Sequence, residues 1–318
     1  MGLEGAMPDD GGLARSSWLW KVGLSAALLA WLLRLVDVSA IAGALVETNL
    51  AWLAIGTVVY VGSQLLSGVK WHVLASGAGV ERPLSRVVAY YFIGMFFNAF
   101  GFGTVGGDVM RAMYLGGATD RARAVNSVLI DRLTGLAVLI AMSVAALVVF
   151  RRYDLPPALY WGTLVLGIGL LVGWWLAPIV LPRFLPRTSR VRHSIETELS
   201  PFWRDYPLLS KASIMSFAFH GAQILAIVAL ARALDVRIPG TFFLIFAPLT
   251  NLASALPVSW NGLGVRESAY VFFLARVGVA SEAAVALALL WLGVVLVGGA
   301  IGGIVYVSLG ESRTPLRA

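Results

Sequence analysis

Two short polar segments interrupt long apolar sequence at matching places in the two halves of the chain. The first polar segment covers residues 98–111 and the second covers residues 251–266, and each contains a Gly-x-x-x-Arg element with a carboxylate close to the Arg. The polar or flexible residues are Asn98, Gly107, Asp108 and Arg111 in the first segment, and Asn251, Gly262 and Arg266 in the second, which Glu267 directly follows. Irregular, charged backbone at membrane depth is tolerated only where protein or a water-filled cavity surrounds it, so both segments indicate a site.

The local sequence predicts a helix N-terminus beside each Arg. Asp108 follows two glycines and is a favourable N-cap, which would place Arg111 in the first helical turn. Arg266 would occupy the first turn of a helix that runs through Leu274. The free N–H groups and the dipole of a helix N-terminus favour a bound phosphate. We therefore expect the two ends to meet around an anion, and we predict that all eight residues named above contact the substrate.

A second interpretation gives these charges a structural role only. Asp108 would pair with Arg111 three residues on, Arg266 would pair with Glu267, and both pairs would simply hold the segments in place. Inserting a charge at the membrane centre costs about 2.5–3.5 kcal/mol, so such charges seldom occur without a function. On that ground we favour substrate contact for the two Arg residues.

Asp131 and Arg132 form a further charged pair near the start of an apolar run. Adjacent side chains point about 100° apart on a helix, so each needs a partner of its own. The candidate partners are Asp108 or Glu267 for Arg132, and Arg111 or Arg266 for Asp131. These six charged residues sum to zero, which suits gating by exchange of partners, although a position of Asp131 and Arg132 at the membrane interface also fits.

Other polar residues lie in or beside apolar runs. His220 is a candidate for gating or proton coupling, but a hydrogen bond between helices is the favoured interpretation. Asn98, Asn251 and Thr250 are expected to satisfy open backbone in the hairpins. Lys70 and Trp71 are interpreted as a pair at the membrane interface, with the lysine reaching towards water.

The composition assigns the chain to the integral membrane proteins. Of its 318 residues, 59% are hydrophobic and 13% charged, and the mean hydropathy is +0.83. The absence of Cys excludes disulfides and thiol catalysis. No nucleotide-binding loop, His-Glu-x-x-His motif or metal-ligand spacing occurs, so we expect no catalytic residue, no metal and no cofactor. The formal charge of +7 reports membrane orientation rather than a nucleic-acid partner.

Six apolar runs predict an all-α polytopic fold within a single transmembrane domain, residues 18–310. They are Trp18 to Val36, Ala51 to Leu66, Asn126 to Phe150, Tyr160 to Leu181, Ala212 to Leu234 and Ala283 to Leu309. Residues 1–17 are expected to form a disordered tail and residues 311–318 a C-terminal tail. The first run is longer than a signal-peptide core and carries Arg34, so we favour an uncleaved span.

Charge distribution predicts how the runs are oriented. The connection over residues 182–211 is the most basic and is placed in the cytoplasm, together with both termini. This holds only if each polar segment belongs to a hairpin that enters and leaves on the same side. The prediction is therefore two inverted repeats, at about 18–150 and 158–310, each of three transmembrane helices and one re-entrant hairpin. Arg151 and Arg152 fit this orientation worst.

Three motifs resemble those of the lysylphosphatidylglycerol synthase transmembrane-region family of flippase-like membrane proteins. They are Asn98 to Arg111 with its Gly-Gly-Asp-x-x-Arg core, Asp131 to Gly135, and Pro257 to Glu267. In the related multiple peptide resistance factor, an aminoacyl-transferase domain follows this region. The sequence stops at Ala318 without such a domain, so the resemblance implies lipid translocation rather than aminoacyl transfer.

The leading functional hypothesis is a translocator of an anionic or phosphate-bearing lipid, phospholipid or polyprenyl-phosphate in type. Composition rich in Arg, Ala and Gly is typical of a GC-rich prokaryote, so we place it in the cytoplasmic (inner) membrane. Two alternatives remain: a membrane transferase that acts on a lipid-linked sugar or headgroup, and a non-catalytic partner of a lipid or glycan biosynthesis enzyme.

Overall fold

The computed structural model of the chain describes residues 36–100, 103–117, 119–150, 155–186, 195–255 and 262–309. It also describes residues 153, 188, 189 and 192 and several positions between 23 and 34. The predicted tails, most of the first apolar run, and Arg151 and Arg152 lie outside the described residues.

The described residues are almost entirely helical and include no strand. Eleven α-helices are numbered here in chain order: α1 Val38–Val46, α2 Leu50–Gly77, α3 Leu84–Phe100, α4 Gly103–Gly116, α5 Arg121–Val149, α6 Pro157–Phe184, α7 Ser200–Arg204, α8 Tyr206–Ala233, α9 Phe243–Ala255, α10 Val265–Leu274 and α11 Ser281–Ser308. Short π-helical or 3₁₀ turns cover Ile195–Leu199, Gly240–Phe242 and Ala275–Val277.

Among the helices of the described residues, five are long and apolar enough to cross a membrane: α2, α5, α6, α8 and α11. They coincide with five of the six predicted runs, which confirms a multi-pass helical membrane protein. Several helices extend beyond the predicted runs: α2 ends at Gly77 instead of Leu66, and α5 begins at Arg121 instead of Asn126. At the start of α2, Asn49 Oδ1 accepts hydrogen bonds from the N–H groups of Ala51 and Trp52 at 3.0 and 3.2 Å.

The two polar segments lie in pairs of shorter helices. In the first pair α3 has 17 residues and α4 has 14, and in the second pair α9 has 13 and α10 has 10. We call α3 with α4 the first hairpin and α9 with α10 the second hairpin, because the two helices of each pair pack against each other.

The packing of the first half of the chain is repeated in the second half. The first hairpin packs through α3 against α11, and the second packs through α9 against α5. Likewise α4 contacts α5, and α10 contacts α11. Helices α2 and α8 pack against each other between the halves.

Close helix contact holds the first hairpin in place. A Cβ atom on Gly302 of α11 would lie only 1.9 Å from the carbonyl oxygen of Phe92 in α3, so a side chain is excluded at this crossing. Small residues of this kind let helices approach closely in membranes, where dispersion contacts replace the hydrophobic driving force. Close packing against α11 therefore holds the first hairpin in place independently of its charged groups.

Candidate functional site

One face of α2 is polar although the helix is apolar overall. Ser63, Ser67 and Lys70 follow one another at helical spacing, and all three are buried. Lys70 is 3% exposed and Trp71 is fully buried, so the interpretation of these two residues as a pair at the membrane interface is wrong. The polar face turns into the protein and supplies one wall of a cavity.

That cavity, which we call the charged cavity, has a volume of about 380 Å³ and is formed by five helices. Its lining residues are Ser67, Lys70, Tyr91, Gly94, Met95, Asn98, Asp108, Arg111, Asp131, Arg132, Gly135, Leu136, Phe219 and His220. Six residues predicted for substrate binding or gating are among them: Asn98, Asp108, Arg111, Asp131, Arg132 and His220.

Five side chains in the charged cavity form an alternating chain of ion pairs. Asp131 binds Lys70 Nζ through Oδ1 at 3.0 Å and Arg111 Nη1 through Oδ2 at 3.0 Å. Asp108 lies 3.2 Å from Arg111 Nε and 2.8 Å from Arg132 Nη2. Each carboxylate thus bridges two cations, and this ion chain carries three cations against two carboxylates. Without Lys70 the sequence suggested a neutral cluster, whereas the cavity has an excess of one positive charge.

The ion chain runs from a closed end to an open end. The side chains of Lys70, Arg111 and Asp131 are 4 to 6% exposed, whereas Asp108 is 24% and Arg132 48% exposed. Electrostatic attraction is strongest where water is excluded, so an anion that enters beside Arg132 would bind more strongly as it moved inwards.

Arg111 occupies the middle of the ion chain. Its guanidinium carbon lies 5.1 Å from the ring centre of Trp71 and 5.6 Å from that of Tyr91, within the range of cation–π attraction. Trp71 is itself fixed by a hydrogen bond from Nε1 to Ser127 Oγ at 3.1 Å. The guanidinium plane is therefore held in one orientation.

The first hairpin positions Asp108 and Arg111 differently from the prediction. Helix α4 begins at Gly103, so Asp108 lies in the second turn and is not the N-cap, and Arg111 is well inside the helix. The helix continues through Gly107. This position needs a glycine because a Cβ there would lie 2.1 Å from Gly94 O and from Asn98 Oδ1. Asn98 Oδ1 accepts a hydrogen bond from the Gly107 N–H at 3.0 Å, which confirms its predicted bond to hairpin backbone.

The second hairpin places Arg266 in the first turn of α10, as predicted. Arg266 pairs with Glu267 at 2.9 Å, and Glu267 also accepts the Gly264 N–H at 2.6 Å. The carboxylate of the protein itself therefore occupies part of the N-terminus at which a phosphate was predicted.

The remaining predicted residues of the second hairpin lie apart from the charged cavity. Gly262 packs against Ser254, with φ of 76°, and Asn251 is half-buried. No described residue of the second hairpin lines the charged cavity, and residues 256–261 are outside the described part of the chain. The ion chain thus belongs to the first hairpin with α2 and α5.

His220 joins α8 to α5. Its Nε2 lies 3.1 Å from the carbonyl oxygen of Gly135, which confirms the predicted hydrogen bond between helices. Nearby, Lys70 Nζ donates to Ser216 Oγ at 3.2 Å and to the backbone oxygen of Asp131 at 3.3 Å. Helices α2, α5 and α8 are therefore linked by polar contacts around the charged cavity.

An apolar groove of about 490 Å³ adjoins the charged cavity along α5 and α6. Leu136 lines both spaces, one helical turn after Arg132. Trp203 Nε1 donates to Trp174 O at 3.0 Å, and both tryptophans line the groove. A polar space of net positive charge and an apolar space thus share one wall.

The polar face of α2 is the signal that could have identified Lys70 from the sequence. Of the alternative partners considered for Asp131 and Arg132, the structure selects Arg111 and Asp108.

Within the described residues, no three His, Cys, Asp or Glu side chains meet as metal ligands would. The arrangement is suited to binding an anion by cationic groups and to shielding it from lipid.

Comparison with protein families gives a match over most of the chain. The family model described as the lysylphosphatidylglycerol synthase TM region matches residues 18–303, which is most of the chain. No curated protein matches. The family match confirms the resemblance carried by the motifs around Arg111, Asp131 and Arg266.

Proposed function

The chain belongs to the lysylphosphatidylglycerol synthase TM region family, membrane proteins of lipid modification or translocation, and we propose that it moves lipid between membrane leaflets. Its substrate in this proposal is an anionic or phosphate-bearing lipid. The membrane is the cytoplasmic membrane of a prokaryote.

The observation that carries this proposal is the shared wall at Leu136. A lipid needs a polar place for its headgroup and an apolar place for its chains, and the two must adjoin. The charged cavity offers an excess positive charge, and the groove along α5 and α6 offers apolar surface next to it. In this proposal the headgroup enters beside Arg132 while an acyl or prenyl chain lies along the groove.

Inside the cavity the headgroup phosphate competes with the carboxylates for the cations. Asp108 and Asp131 each bridge two cations, so a phosphate can replace one carboxylate contact without leaving any cation unpaired. Exchange of partners along the ion chain would then couple binding to movement of α4 against α5. This retains the predicted gating role of Asp131 and Arg132 and adds Lys70 to it.

Passage to the other leaflet is proposed to use two inverted repeats, each with a re-entrant hairpin. The matched packing of α3 with α11 and of α9 with α5 supports a repeat. Inverted repeats commonly provide alternating access by motion of one half against the other.

The proposal is tested by a leaflet-resolved assay in proteoliposomes that contain acyl-labelled phosphatidylglycerol. Dithionite destroys label in the outer leaflet, so the slow phase of its decay reports transbilayer movement. We expect wild-type protein to accelerate movement over protein-free vesicles, and Arg111→Ala to slow it at least about tenfold, since one buried charged contact is worth about 1.5–3 kcal/mol.

Arg123→Ala is the matched control, because the Arg123 side chain is 63% exposed and its ion pair with Asp120 is long, at 3.7 Å. It should move lipid at the wild-type rate. Equal rates for wild-type and protein-free vesicles, with both phosphatidylglycerol and phosphatidylethanolamine as labelled lipid, would refute translocation.

A further inference from the structure

Four buried polar atoms of residues that line the charged cavity have no hydrogen-bond partner among the described residues. Two of them, Arg111 Nε and Asp131 Oδ1, belong to the ion pairs described above, at 3.2 and 3.0 Å. The other two are Nη2 of Arg111 and Nδ1 of His220. Arg111 is 3% exposed and His220 is 8% exposed. Buried polar groups in native proteins are nearly always satisfied, so an unpaired one in a cavity wall points to a ligand.

Arg111 requires an acceptor at this position. Its Nη1 is bound to Asp131 and its Nε lies beside Asp108, while stacking on Trp71 and Tyr91 fixes the plane. A guanidinium group can only donate hydrogen bonds. The unpaired Nη2 therefore calls for an oxygen with a lone pair, and a phosphate oxygen meets that need.

His220 requires the opposite kind of group. A carbonyl oxygen only accepts, so Nε2 carries the hydrogen that Gly135 O receives. A second proton on the ring would add a fourth cation beside Lys70, Arg111 and Arg132. In the neutral ring Nδ1 is an acceptor, and its partner must be a donor such as a hydroxyl group.

The charge of the cavity limits the ligand further. Three cations face two carboxylates, so one added negative charge balances the site. A phosphodiester carries one negative charge, whereas a phosphomonoester carries nearly two at neutral pH. A headgroup that also carries an ammonium group would cancel the charge of its own phosphate, so the cavity would keep its excess of one positive charge.

Resting on the proposed function, we propose that the substrate is a lipid phosphodiester whose headgroup carries hydroxyl groups and no cation. The phosphate oxygen accepts from Arg111 Nη2, and a headgroup hydroxyl donates to His220 Nδ1. Two lipid classes share this chemistry: glycerophospholipids with a polyol headgroup, and polyprenyl-phosphate sugars.

The test compares lipids that carry the same acyl label but different headgroups, in proteoliposomes of the full chain. Phosphatidylglycerol has the charge and the hydroxyls, phosphatidylmethanol has the charge alone, and phosphatidylethanolamine is zwitterionic. We expect wild-type protein to move phosphatidylglycerol about tenfold faster than phosphatidylmethanol, because the second lipid leaves His220 unpaired. Phosphatidylethanolamine should move more slowly than either.

His220→Phe should lower the ratio of the transbilayer rates of phosphatidylglycerol and phosphatidylmethanol towards one, because the Nδ1 acceptor for the headgroup hydroxyl is removed. His72→Phe is the matched control: its Nδ1 is also buried without a partner, but His72 does not line the cavity. This variant should keep the wild-type ratio.

A separate arm tests a labelled polyprenyl-phosphate sugar against phosphatidylglycerol, and the faster of the two identifies the lipid class. One contrary result is that all lipids move equally fast whatever their headgroup, and another is that His220→Phe slows every lipid by the same factor. Either result would show that the proposed preference for a hydroxyl-bearing phosphodiester is wrong, while translocation itself would stand. If no lipid moves faster than in protein-free vesicles, the proposed function fails first.

Discussion

At the scale of single residues, the ion chain shows which pairings a sequence can predict. Neighbouring side chains on a helix diverge, which predicts separate partners for Asp131 and Arg132, and the structure confirms this. Lys70 escaped prediction because a Lys next to a Trp is typical of a membrane interface. Its burial depends on contacts with Asp131 and Ser216, which are distant in sequence.

Lys70→Met tests whether the excess charge of the cavity matters. The variant makes the cavity neutral, so we expect its affinity for phosphatidylglycerol to fall about tenfold, on the scale of a Coulomb interaction at intermediate dielectric. Native mass spectrometry of lipid complexes would measure the change.

Lys70→Met combined with Asp131→Asn separates charge from contact. The double variant removes one cation and one carboxylate and returns the cavity to an excess of one positive charge. We expect the double variant to regain most of the affinity for phosphatidylglycerol that Lys70→Met loses. A double variant that binds no better than Lys70→Met would show that Lys70 acts through its contacts and not through net charge.

At the scale of helices and hairpins, tertiary packing explains why the predicted start of α4 was wrong. Paired glycines usually interrupt a helix, and this led to the assignment of Asp108 as an N-cap. In the structure Gly107 lies against α3, where only a residue without a side chain fits. Close approach, rather than a helix end, accounts for this glycine.

Gly107→Ala should therefore separate α3 from α4. The added methyl group would overlap Gly94 O and Asn98 Oδ1, and we expect thermal unfolding in detergent to show a loss of about 1–3 kcal/mol. Gly62→Ala is the control, since a Cβ at Gly62 meets nothing within 4 Å. That variant should be neutral or slightly more stable because Ala favours helix. A Gly107→Ala protein as stable as Gly62→Ala would contradict the close packing.

The second hairpin allows a direct test of the two roles considered for Arg266. Arg266→Ala leaves the carboxylate of Glu267, which is 1% exposed, without its cation, so we expect a loss of about 3–5 kcal/mol in unfolding free energy. Arg266→Ala with Glu267→Gln should regain much of that stability. If lipid movement returns with stability, the pair only holds the hairpin; if movement stays low, Arg266 contacts substrate.

At the scale of the whole molecule, hydropathy alone predicts the five crossing helices that the described residues contain. Hydropathy does not predict how the helices are arranged. The composition of a single segment determines neither the repeated packing nor the course of a hairpin through the membrane. The sequence indicated inversion only through the distribution of Arg and Lys. The packing of α2 against α8 depends on surfaces from both halves.

Labelling of single cysteines would test this orientation without background, since the chain has no Cys of its own. If both hairpins are re-entrant from opposite sides, Glu81→Cys and Thr119→Cys should react with an impermeant maleimide only after cells are permeabilised. Arg237→Cys and Ala280→Cys should react in intact cells. Opposite accessibility for Glu81→Cys and Thr119→Cys would mean that the first hairpin crosses the membrane.

The ion chain also bears on how the protein is made. Lys70 is inserted with α2, but Asp131 is synthesised 61 residues later. Until α5 arrives, the lysine must remain solvated by extending towards the membrane surface. Helices α2, α4 and α5 therefore become stable in the membrane only together, and a chain arrested before α5 would expose an uncompensated charge to membrane quality control. The same charges that are proposed to bind a headgroup would report whether the first half has been assembled.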